Sequence, residues 1–343
     1  MENQKIKCVV WDLDNTLWEG VLLEDEHVTL RQEIVDIIVE LDRRGILQSI
    51  SSKNDHETAQ KKLEQFGLWQ YFIYPQINWN AKSESVSEIA RLINIGIDTL
   101  ALVDDQIFER EEVMFSHPEV LCIDALRPES ILSTERMMPK YITSDSKKRR
   151  EMYQNDIKRN EREEKFTGTK EEFLGTLDMV LTVSGAREED LQRAEELTVR
   201  THQLNSTGTV YSYEQLKKCI ESDGHEVLMA QLDDIYGQYG KISLAVIEKD
   251  EGIWRLNLLL ASCRVMSKGV GNVLMNYIIN KAKANNVTLR ASFVPTNRNR
   301  LMYITYKFNG FKELSNDGER IELEADLSYE RVMPEYLTLV DKG

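Results

Sequence analysis

Strand-like and helix-like patterns alternate along the first ~130 residues, and this alternation constrains the fold more than any other feature of the sequence. Apolar runs of strand length occur at Ile6–Trp11, Ile46–Ile50, Phe72–Ile77 and Leu100–Val103, with amphipathic helix patterns at Arg31–Arg44, Asp55–Phe66 and Lys82–Leu92. Strands joined through helices run parallel in one sheet. The pattern predicts an α/β domain with a doubly wound parallel sheet, in which ligands bind beyond the carboxyl ends of the strands.

A chain of 343 residues exceeds the size of a single core, so a second domain is expected. Its strand-like runs follow one another more directly, which is typical of antiparallel pairing in an α+β domain. The runs are Glu226–Leu232, Lys241–Glu248, Trp254–Ala261, Thr288–Phe293 and one near Ile321, and the helix patterns are Glu188–Arg200, Val270–Lys283 and Arg298–Phe308. The predicted organisation is a first domain at 1–140, a charged linker at 141–170 and a second domain at 171–343. The linker is interpreted either as a solvated helix or as a docking surface.

The charge balance excludes some classes of partner. The 58 acidic and 43 basic residues give a net charge of −15, which argues against a nucleic-acid surface. No run approaches the ~18 apolar residues that a membrane span needs. The four cysteines lie far apart without metal-ligand spacing, and the N-terminus enters a strand pattern without a signal segment, so we expect a cytoplasmic protein.

Acidic pairs follow two of the predicted parallel strands. Asp12 and Asp14 come after the first strand and Asp104 and Asp105 after the fourth. In an extended backbone the side chains of Asp12 and Asp14 would point to the same side. The alternative is that one aspartate caps a helix and the other lies in a turn, without forming a site. Clustered carboxylates repel one another unless a cation relieves them, and hard oxygen ligands suit Mg²⁺.

Two further side chains lie between the acidic pairs. Ser52 follows the second strand and Lys82 begins a helix pattern. A hydroxyl and an ammonium group suit the oxygens of a transferring phosphoryl group. The carboxylates, the hydroxyl and the ammonium together indicate phosphoryl chemistry on a small phosphorylated metabolite.

In order and spacing, these residues resemble the four motifs of the haloacid dehalogenase (HAD) superfamily. The resemblance implies that Asp12 is the nucleophile, which forms an aspartyl-phosphate, and that Asp14 is the acid and base. It implies that Ser52 and Lys82 hold the phosphoryl oxygens. The implied Mg²⁺ ligands are Asp12, Asp14 through its backbone carbonyl, Asp104 and, in support, Asp105.

A more specific resemblance covers nearly the whole chain. The segments WDLDNTLWEGVLLED, SSKND, VDDQIFEREEV, RTHQLNSTG, YGKISLAVIE, SCRVMSKGVG and FVPTNRNRLMYITYKF are together similar to the FkbH family, a HAD phosphatase domain of subfamily IIIC fused to an acyltransferase-like domain. The resemblance implies removal of phosphate from 1,3-bisphosphoglycerate and loading of the glyceryl unit on the pantetheine thiol of an acyl carrier protein, for polyketide-type biosynthesis. The substrate-binding candidates in these motifs are Asn15, Thr16, Trp18, Lys53, Asn54 and Arg110. Trp18 either shapes the substrate site or covers the core.

The sequence departs from the family pattern in two places. Ser51 stands where relatives tend to have cysteine, and Gln106-Ile107 follows the acidic pair where they tend to have Asn-Pro. If the thiol carries the acyl group in relatives, this chain needs another thiol or a direct transfer to the carrier. The phosphatase motifs are unaffected by either departure.

A glycine-rich loop in the second half, with Gly269 and Gly271, follows a strand and opens a helix. Glycines there let backbone N–H groups approach a phosphate, or simply pack the helix closely. The order of elements resembles the GNAT (N-acetyltransferase-like) fold, which implies a site for a phosphopantetheine arm. Met266 replaces the usual first Gln or Arg of that loop, so a carrier-protein pantetheine is an alternative occupant to coenzyme A.

Cys263 is predicted to end the strand before this loop, where a GNAT-like fold would place the thioester. Its thiol would accept an acyl group if Arg264 lowers its pKa, or it is a small buried apolar residue. Asn297 and Arg298 offer polar groups for a phosphate or carboxylate, or form a helix N-cap with a solvated arginine. The pantetheine-binding candidates are Arg264, Gly269, Gly271, Asn297 and Arg298.

Three functions are compatible with these features. The first is glyceryl transfer with phosphatase activity, with Asp12, Asp14, Ser52, Lys82 and Cys263 as catalytic residues. The second is a stand-alone Mg²⁺-dependent phosphatase of small molecules, without acyl transfer. The third is a binding module whose phosphatase site is vestigial, which the complete set of motif residues disfavours.

Overall fold

The computed structural model describes residues 4–342. The chain divides into two units, Met1–Gln154 and Asn155–Gly343. The strands of unit 1 are β1 (Cys8–Trp11), β2 (Trp18–Glu19), β3 (Thr29–Leu30), β4 (Leu47–Ser52), β5 (Gln76–Ile77), β6 (Leu100–Asp104) and β7 (Leu121–Asp124). The helices up to and across the division are α1 (Gln32–Arg43), α2 (His56–Gln65), α3 (Lys82–Ile93), α4 (Ile107–Ser116), α5 (Glu129–Ser133), α6 (Ser144–Lys147) and α7 (Arg149–Glu164).

Five strands of unit 1 form a parallel sheet in the order β5-β4-β1-β6-β7. β1 lies at the centre, where Trp11 pairs with Ile50 of β4 on one side and with Val103 of β6 on the other. The apolar face of α1 packs against this sheet through Ile34 and Ile38, at the helical spacing seen in the sequence. The predicted doubly wound parallel sheet is confirmed.

The third predicted strand is shorter than its apolar run. Phe72–Ile77 was expected to be extended throughout, but only Gln76 and Ile77 form β5. Tyr74 has a left-handed φ of 49°, and Pro75 has no N–H to donate to a ladder. Phe72 is nevertheless buried in the core, so the apolar run reports burial rather than strand pairing.

The strands of unit 2 are β8 (Met179–Gly185), β9 (His225–Asp234), β10 (Gly237–Asp250), β11 (Ile253–Ala261), β12 (Thr288–Phe293), β13 (Phe311–Asn316), β14 (Ile321–Ala325) and β15 (Leu337–Asp341). Its helices are α8 (Lys170–Gly175), α9 (Leu191–Arg200), α10 (Tyr213–Ile220), α11 (Val270–Ala284) and α12 (Arg300–Phe308). The sheet order is β13-β14-β12-β11-β10-β9-β8-β15, mostly antiparallel, so the predicted α+β class is confirmed. α12 begins two residues later than predicted, because Arg298 lies within a turn held by hydrogen bonds between Thr296 and Asn299.

The parallel pair β11 and β12 is important for the second site. These strands pair only from Ile253 to Leu256 against Thr288 to Ala291. Beyond that point a bulge interrupts β11 between Leu256 and Leu258, which pair with Ile247 and Val246 of β10. β11 continues to Ala261 without pairing to β12, so the sheet opens at the carboxyl end of the pair.

Helices cover both faces of this sheet. Alternate residues of β11 contribute to two different cores, Leu256 and Leu259 on the face of α11 and α12, and Leu258 and Leu260 on the face of α9 and α10. Among residues 4–342, no helix is long and apolar enough to cross a membrane. The segment predicted as a charged linker, 141–170, contains α6 and α7.

Candidate functional sites

Three carboxylates meet at the carboxyl edge of the parallel sheet in unit 1. Asp12 directly follows β1, and its backbone N–H donates to Val103 O of the neighbouring strand at 3.0 Å. Asp104 ends β6, and Asp105 comes next. Carboxylate oxygens of Asp12, Asp104 and Asp105 lie within 4.8 Å of one another, and the first two residues are buried. The register of β1 against β6 therefore brings the two acidic motifs together.

Lys82 bridges two of these carboxylates. It is the first residue of α3, and its side chain is 4% exposed. The Nζ atom lies 2.8 Å from Asp12 Oδ1 and also donates a hydrogen bond to Asp104 Oδ2. A buried ammonium between two buried carboxylates compensates part of their mutual repulsion.

The pKa values at this site reflect burial and crowding of like charges. Burial raises the pKa of Asp12 from 3.8 to about 7, with Asp104 adding to the shift and Lys82 opposing it. Burial and the charge of Asp104 also raise the pKa of Asp105. Burial alone would lower the pKa of Lys82, but Asp12 and Asp104 outweigh it, so that pKa is raised. Burial therefore disfavours the ionised forms of Asp12 and Asp105 in the metal-free site.

Asp14 is held by three hydrogen bonds. Its Oδ1 accepts hydrogen bonds from Trp18 Nε1 at 2.8 Å and from Leu22 N at 3.0 Å, and its Oδ2 accepts one from Asn54 Nδ2 at 3.0 Å. A turn begins directly after Asp14, with Asn15 at a left-handed φ of 56°.

The other candidates of the DxDxT segment support the turn. Thr16 is buried, and its Oγ1 accepts from Asp105 N at 3.2 Å and lies 3.5 Å from Asp105 Oδ1, which ties the first motif to the last. The side chain of Asn15 accepts from Gly20 N at 3.1 Å. Trp18 is fully buried in the core of unit 1, and its Nε1 donates to Asp14 Oδ1.

The remaining unit 1 candidates lie around the same edge. Ser52 ends β4 and is 3% exposed. Lys53 forms an ion pair with Glu109 at 2.8 Å, and Asn54 holds Asp14. Arg110 donates to Asp104 O at 2.7 Å, so its guanidinium supports the backbone beside the carboxylate cluster.

The donor set fits a divalent cation. Asp12, Asp104 and Asp105 provide hard oxygen donors at mutual distances that one ion can span, and like charges at such distances are costly without a counter-ion. Mg²⁺ binds proteins through one or two carboxylates and completes its coordination with water and phosphate oxygens. The side chain of Asp14 is directed to Trp18 and Asn54, which leaves only its backbone carbonyl as a ligand.

A second cavity lies in unit 2, where β11 and β12 part. It has a volume of about 180 Å³. Its lining residues are mainly apolar: Leu204, Leu259, Leu260, Ala261, Met266, Gly269, Gly271, Asn272, Leu301, Met302 and Thr305. Gly269 has a left-handed φ of 72°, and a Cβ built there would lie 2.6 Å from Tyr336 Oη, so glycine is required at this turn.

Two of the five predicted pantetheine residues, Gly269 and Gly271, line this cavity. Arg264 donates to Tyr239 O at 2.7 Å, and Asn297 and Arg298 are exposed. Cys263 does not end the strand as predicted, because β11 stops at Ala261 and Cys263 begins a short 3₁₀ helix. Its Sγ lies 3.9 Å from Gln203 Oε1 and does not line the cavity.

Sequence reasoning missed the polar partners of the first site and one wall of the second. Glu109 is 6% exposed and pairs with Lys53. Nothing in the sequence distinguishes this third residue of α4 from a solvent-exposed glutamate. Leu301 and Met302 of α12 line the cavity, and their apolar side chains were the sequence feature that could have indicated this. Leu204 lines it from a loop that no helix or strand pattern marks.

Comparisons with known proteins give partial matches. No family model matches the chain, and no curated protein matches it. The N-terminal part of BF1531 from Bacteroides fragilis, which contains a phosphatase domain and is complexed with Mg, is 28% identical over 40% of this chain and 41% of that chain, with a TM-score of 0.37. This chain therefore spans about two fifths of that structure.

The other matched structures include N-acetyltransferases. The ribosomal-protein-S18-alanine N-acetyltransferase from Escherichia coli is 18% identical over 43% of this chain and 95% of that chain, with a TM-score of 0.35. PaiA N-acetyltransferase from Thermoplasma acidophilum, in complex with coenzyme A, is 17% identical over 43% of this chain and 98% of that chain, also with a TM-score of 0.35.

Proposed function

We propose that unit 1 is a Mg²⁺-dependent phosphatase of the HAD type that acts on a small phosphorylated metabolite. The observation that carries the proposal is the buried cluster of Asp12, Asp104 and Lys82 at the carboxyl edge of the parallel sheet, with Asp105 beside it. Asp12, Asp104 and Asp105 would hold Mg²⁺, which would neutralise charge on the phosphoryl oxygens. Mg is also the metal named for the BF1531 structure.

In the proposed reaction Asp12 acts as the nucleophile, and Asp14 acts first as the acid and then as the base. The Asp12 carboxylate attacks phosphorus while the bond from phosphorus to the leaving oxygen breaks, and Asp14 donates a proton to that oxygen. A water molecule then attacks phosphorus of the aspartyl-phosphate, gives its proton to Asp14, and releases phosphate and the Asp12 carboxylate. Lys82 is placed to bind a phosphoryl oxygen, and Asn54 and Trp18 hold Asp14 in position.

Phosphate release from a generic phosphomonoester tests this proposal. Wild-type protein should release phosphate with Mg²⁺ and stop when the chelator EDTA is added, with recovery on excess Mg²⁺. Asp104→Asn should raise the Mg²⁺ concentration required by on the order of 100-fold, because a negatively charged oxygen ligand is replaced by a neutral amide oxygen. Asp36→Asn, the same change at an exposed position of α1, should behave as wild type. Full activity in excess EDTA would refute the metal site.

A finer proposal concerns the substrate and the acceptor. By its resemblance to the FkbH family, the chain would use 1,3-bisphosphoglycerate and pass the glyceryl unit to the pantetheine thiol of an acyl carrier protein, for polyketide-type biosynthesis. Two routes are possible chemically. Either Cys263 accepts the glyceryl group first, or the carrier thiol attacks the acyl phosphate directly. The position of Cys263 outside the cavity lining favours the direct route.

Mass spectrometry separates these possibilities. The protein is incubated with 1,3-bisphosphoglycerate, with and without a pantetheinylated carrier protein, and all intact masses are measured. A glyceryl adduct on the carrier supports acyl transfer, and phosphate release without any adduct supports the alternative, a stand-alone phosphatase. An enzyme adduct that disappears in Cys263→Ala would establish the thioester route.

A further inference from the structure

Helix α3 of unit 1 begins without a capping side chain of its own. Its N-cap residue is Ala81, in extended backbone, and no side chain at that position accepts a hydrogen bond from the first turn. The first four N–H groups of a helix have no partner inside the helix. The first residue of α3 is Lys82, whose ammonium bridges Asp12 and Asp104, so these N–H groups lie directly beside the proposed catalytic site.

Glu112 of the neighbouring helix α4 supplies the missing cap. Its Oε2 accepts a hydrogen bond from Ser83 N at 3.1 Å, and its Oε1 accepts one from Ser83 Oγ. Ser83 is the second residue of α3 and is 7% exposed. A carboxylate at this place satisfies one of the N–H groups and also complements the positive end of the helix dipole.

The helix that carries Glu112 is itself tied to the carboxylate cluster. Arg110, near the start of α4, donates to Asp104 O at 2.7 Å. At the other end of α4, His117 Nε2 lies 3.2 Å from Ser83 O and 2.9 Å from Ser87 Oγ. α4 therefore connects the backbone of the last acidic motif to the first turns of α3.

We propose that Glu112 is a positioning residue for Lys82, which it holds through the neighbouring Ser83. Without the cap the first turn of α3 frays, and the ammonium of Lys82 loses its fixed place between Asp12 and Asp104. The inference rests on the proposed phosphatase function, in which Lys82 binds a phosphoryl oxygen. A displacement of a binding group by about 1 Å costs up to on the order of 100-fold in rate.

Glu112→Ala removes both acceptors and is tested in the full chain by phosphate release from a generic phosphomonoester. kcat/KM should fall by on the order of 10-fold or more, and inhibition by inorganic phosphate should weaken to a similar extent. The Mg²⁺ requirement should not rise, because the three clustered carboxylates remain. A general loosening of the site would raise it. Glu111→Ala, at an exposed position of α4, is the matched control and should behave as wild type.

Ala81→Ser in the Glu112→Ala background separates capping from general support of the fold. A serine in the extended backbone of the N-cap can accept a hydrogen bond from the first turn of α3. The double variant should recover kcat/KM to within about threefold of wild type, although the connection between α3 and α4 is still missing. Glu112→Gln keeps the size of the side chain and loses its charge. It should show a smaller loss of the same kind, which guards against misfolding of the alanine variant.

Hydrogen exchange of the amides of residues 82–85, followed by NMR, is a readout that does not need activity. Exchange should be faster in Glu112→Ala than in wild type and slow again in the double variant. If the wild type releases no phosphate with Mg²⁺, the proposed function fails, and exchange alone decides whether Glu112 holds the first turn of α3. Unchanged exchange in Glu112→Ala would overturn the inference. In an active protein, an unchanged kcat/KM in Glu112→Ala, or a loss that Ala81→Ser does not reverse, would also overturn it.

Discussion

In unit 1 the neighbouring strands β1 and β6 end in carboxylates, whereas in unit 2 the neighbouring strands β11 and β12 part over leucine and methionine. Both places are carboxyl ends of parallel strands, where open sheets bind ligands. The first is completed by the ammonium of Lys82, and the second by a segment of backbone, Leu204–Ser206. The same topological feature therefore carries charged side chains in unit 1 and apolar side chains in unit 2.

The largest expected effect is the loss of phosphate release when the carboxylate cluster of unit 1 is altered. Asp12→Asn should lower Mg²⁺-dependent phosphate release at least ~10³-fold, because an amide cannot form the acyl phosphate. The circular dichroism spectrum and the denaturant unfolding curve of the variant should match those of the wild type, which controls for folding. Asp36→Asn is the matched surface control. Turnover within tenfold of wild type in folded Asp12→Asn would rule out this nucleophile.

The next effect concerns stability. Lys82→Met should reduce the free energy of unfolding of unit 1 by ~3 kcal/mol in metal-free protein, because it leaves two buried carboxylates without their ammonium. Denaturant titration measures the change. Lys61→Met, whose pair with Glu57 is exposed, should cost less than ~1 kcal/mol. Equal losses in both variants would mean that the buried bridge has no special role.

A smaller effect follows from the raised pKa of Asp12, which is about 7. Metal-free folded protein keeps this proton below that pH, whereas the unfolded chain loses it near 3.8. The stability of the metal-free protein should therefore fall as pH rises from about 4 to about 7. Mg²⁺ needs the ionised carboxylate, so its affinity should rise by up to ~10-fold per pH unit towards pH 7 and then level off.

Calorimetric Mg²⁺ titrations at pH 5.5, 6.5 and 7.5 would measure this linkage, with stability followed by thermal unfolding of the metal-free protein. Asp12→Asn should make the Mg²⁺ affinity nearly independent of pH over this range. A wild-type affinity that is flat between pH 5.5 and 7.5 would contradict the raised pKa.

The smallest effect is expected at Cys263. Cys263→Ala should leave phosphate release within about twofold of wild type, because its Sγ lies 3.9 Å from Gln203 Oε1 in unit 2 and the proposed phosphate chemistry uses residues of unit 1. Malachite-green assays of phosphate release would show this. A large loss of phosphate release in a folded variant would mean that Cys263 takes part in the phosphate chemistry.

The unit 1 site was largely predictable because its side chains directly follow strands. Asp12 and Asp104 each come at the end of an apolar run of strand length. Parallel pairing of β1 with β6 is then enough to bring the two carboxylates together. The direction of the Asp14 carboxylate was not predictable, since it depends on the left-handed turn at Asn15 and on the indole of Trp18. These are effects of tertiary contacts that alternation along a strand does not include.

The unit 2 site was much less visible in the sequence. Gly269 and Gly271 of the predicted glycine loop line the cavity, whereas Leu204–Ser206 is held mainly by backbone hydrogen bonds, which leave no pattern of residue types. The bulge in β11 and the early end of its pairing with β12 were hidden for the same reason. Arg298 was expected at the site and lies on the exposed turn before α12.

Chemical trapping of the intermediate tests the central claim most directly. Protein turning over a phosphomonoester with Mg²⁺ is quenched with borohydride, which reduces an acyl phosphate to the alcohol, and the peptide that contains residues 8–19 is sequenced by mass spectrometry. The charged site predicts homoserine in place of Asp12 and unmodified Asp14, with no reduction when substrate is omitted. Reduction at any other carboxylate, or none during active turnover, would contradict Asp12 as the nucleophile.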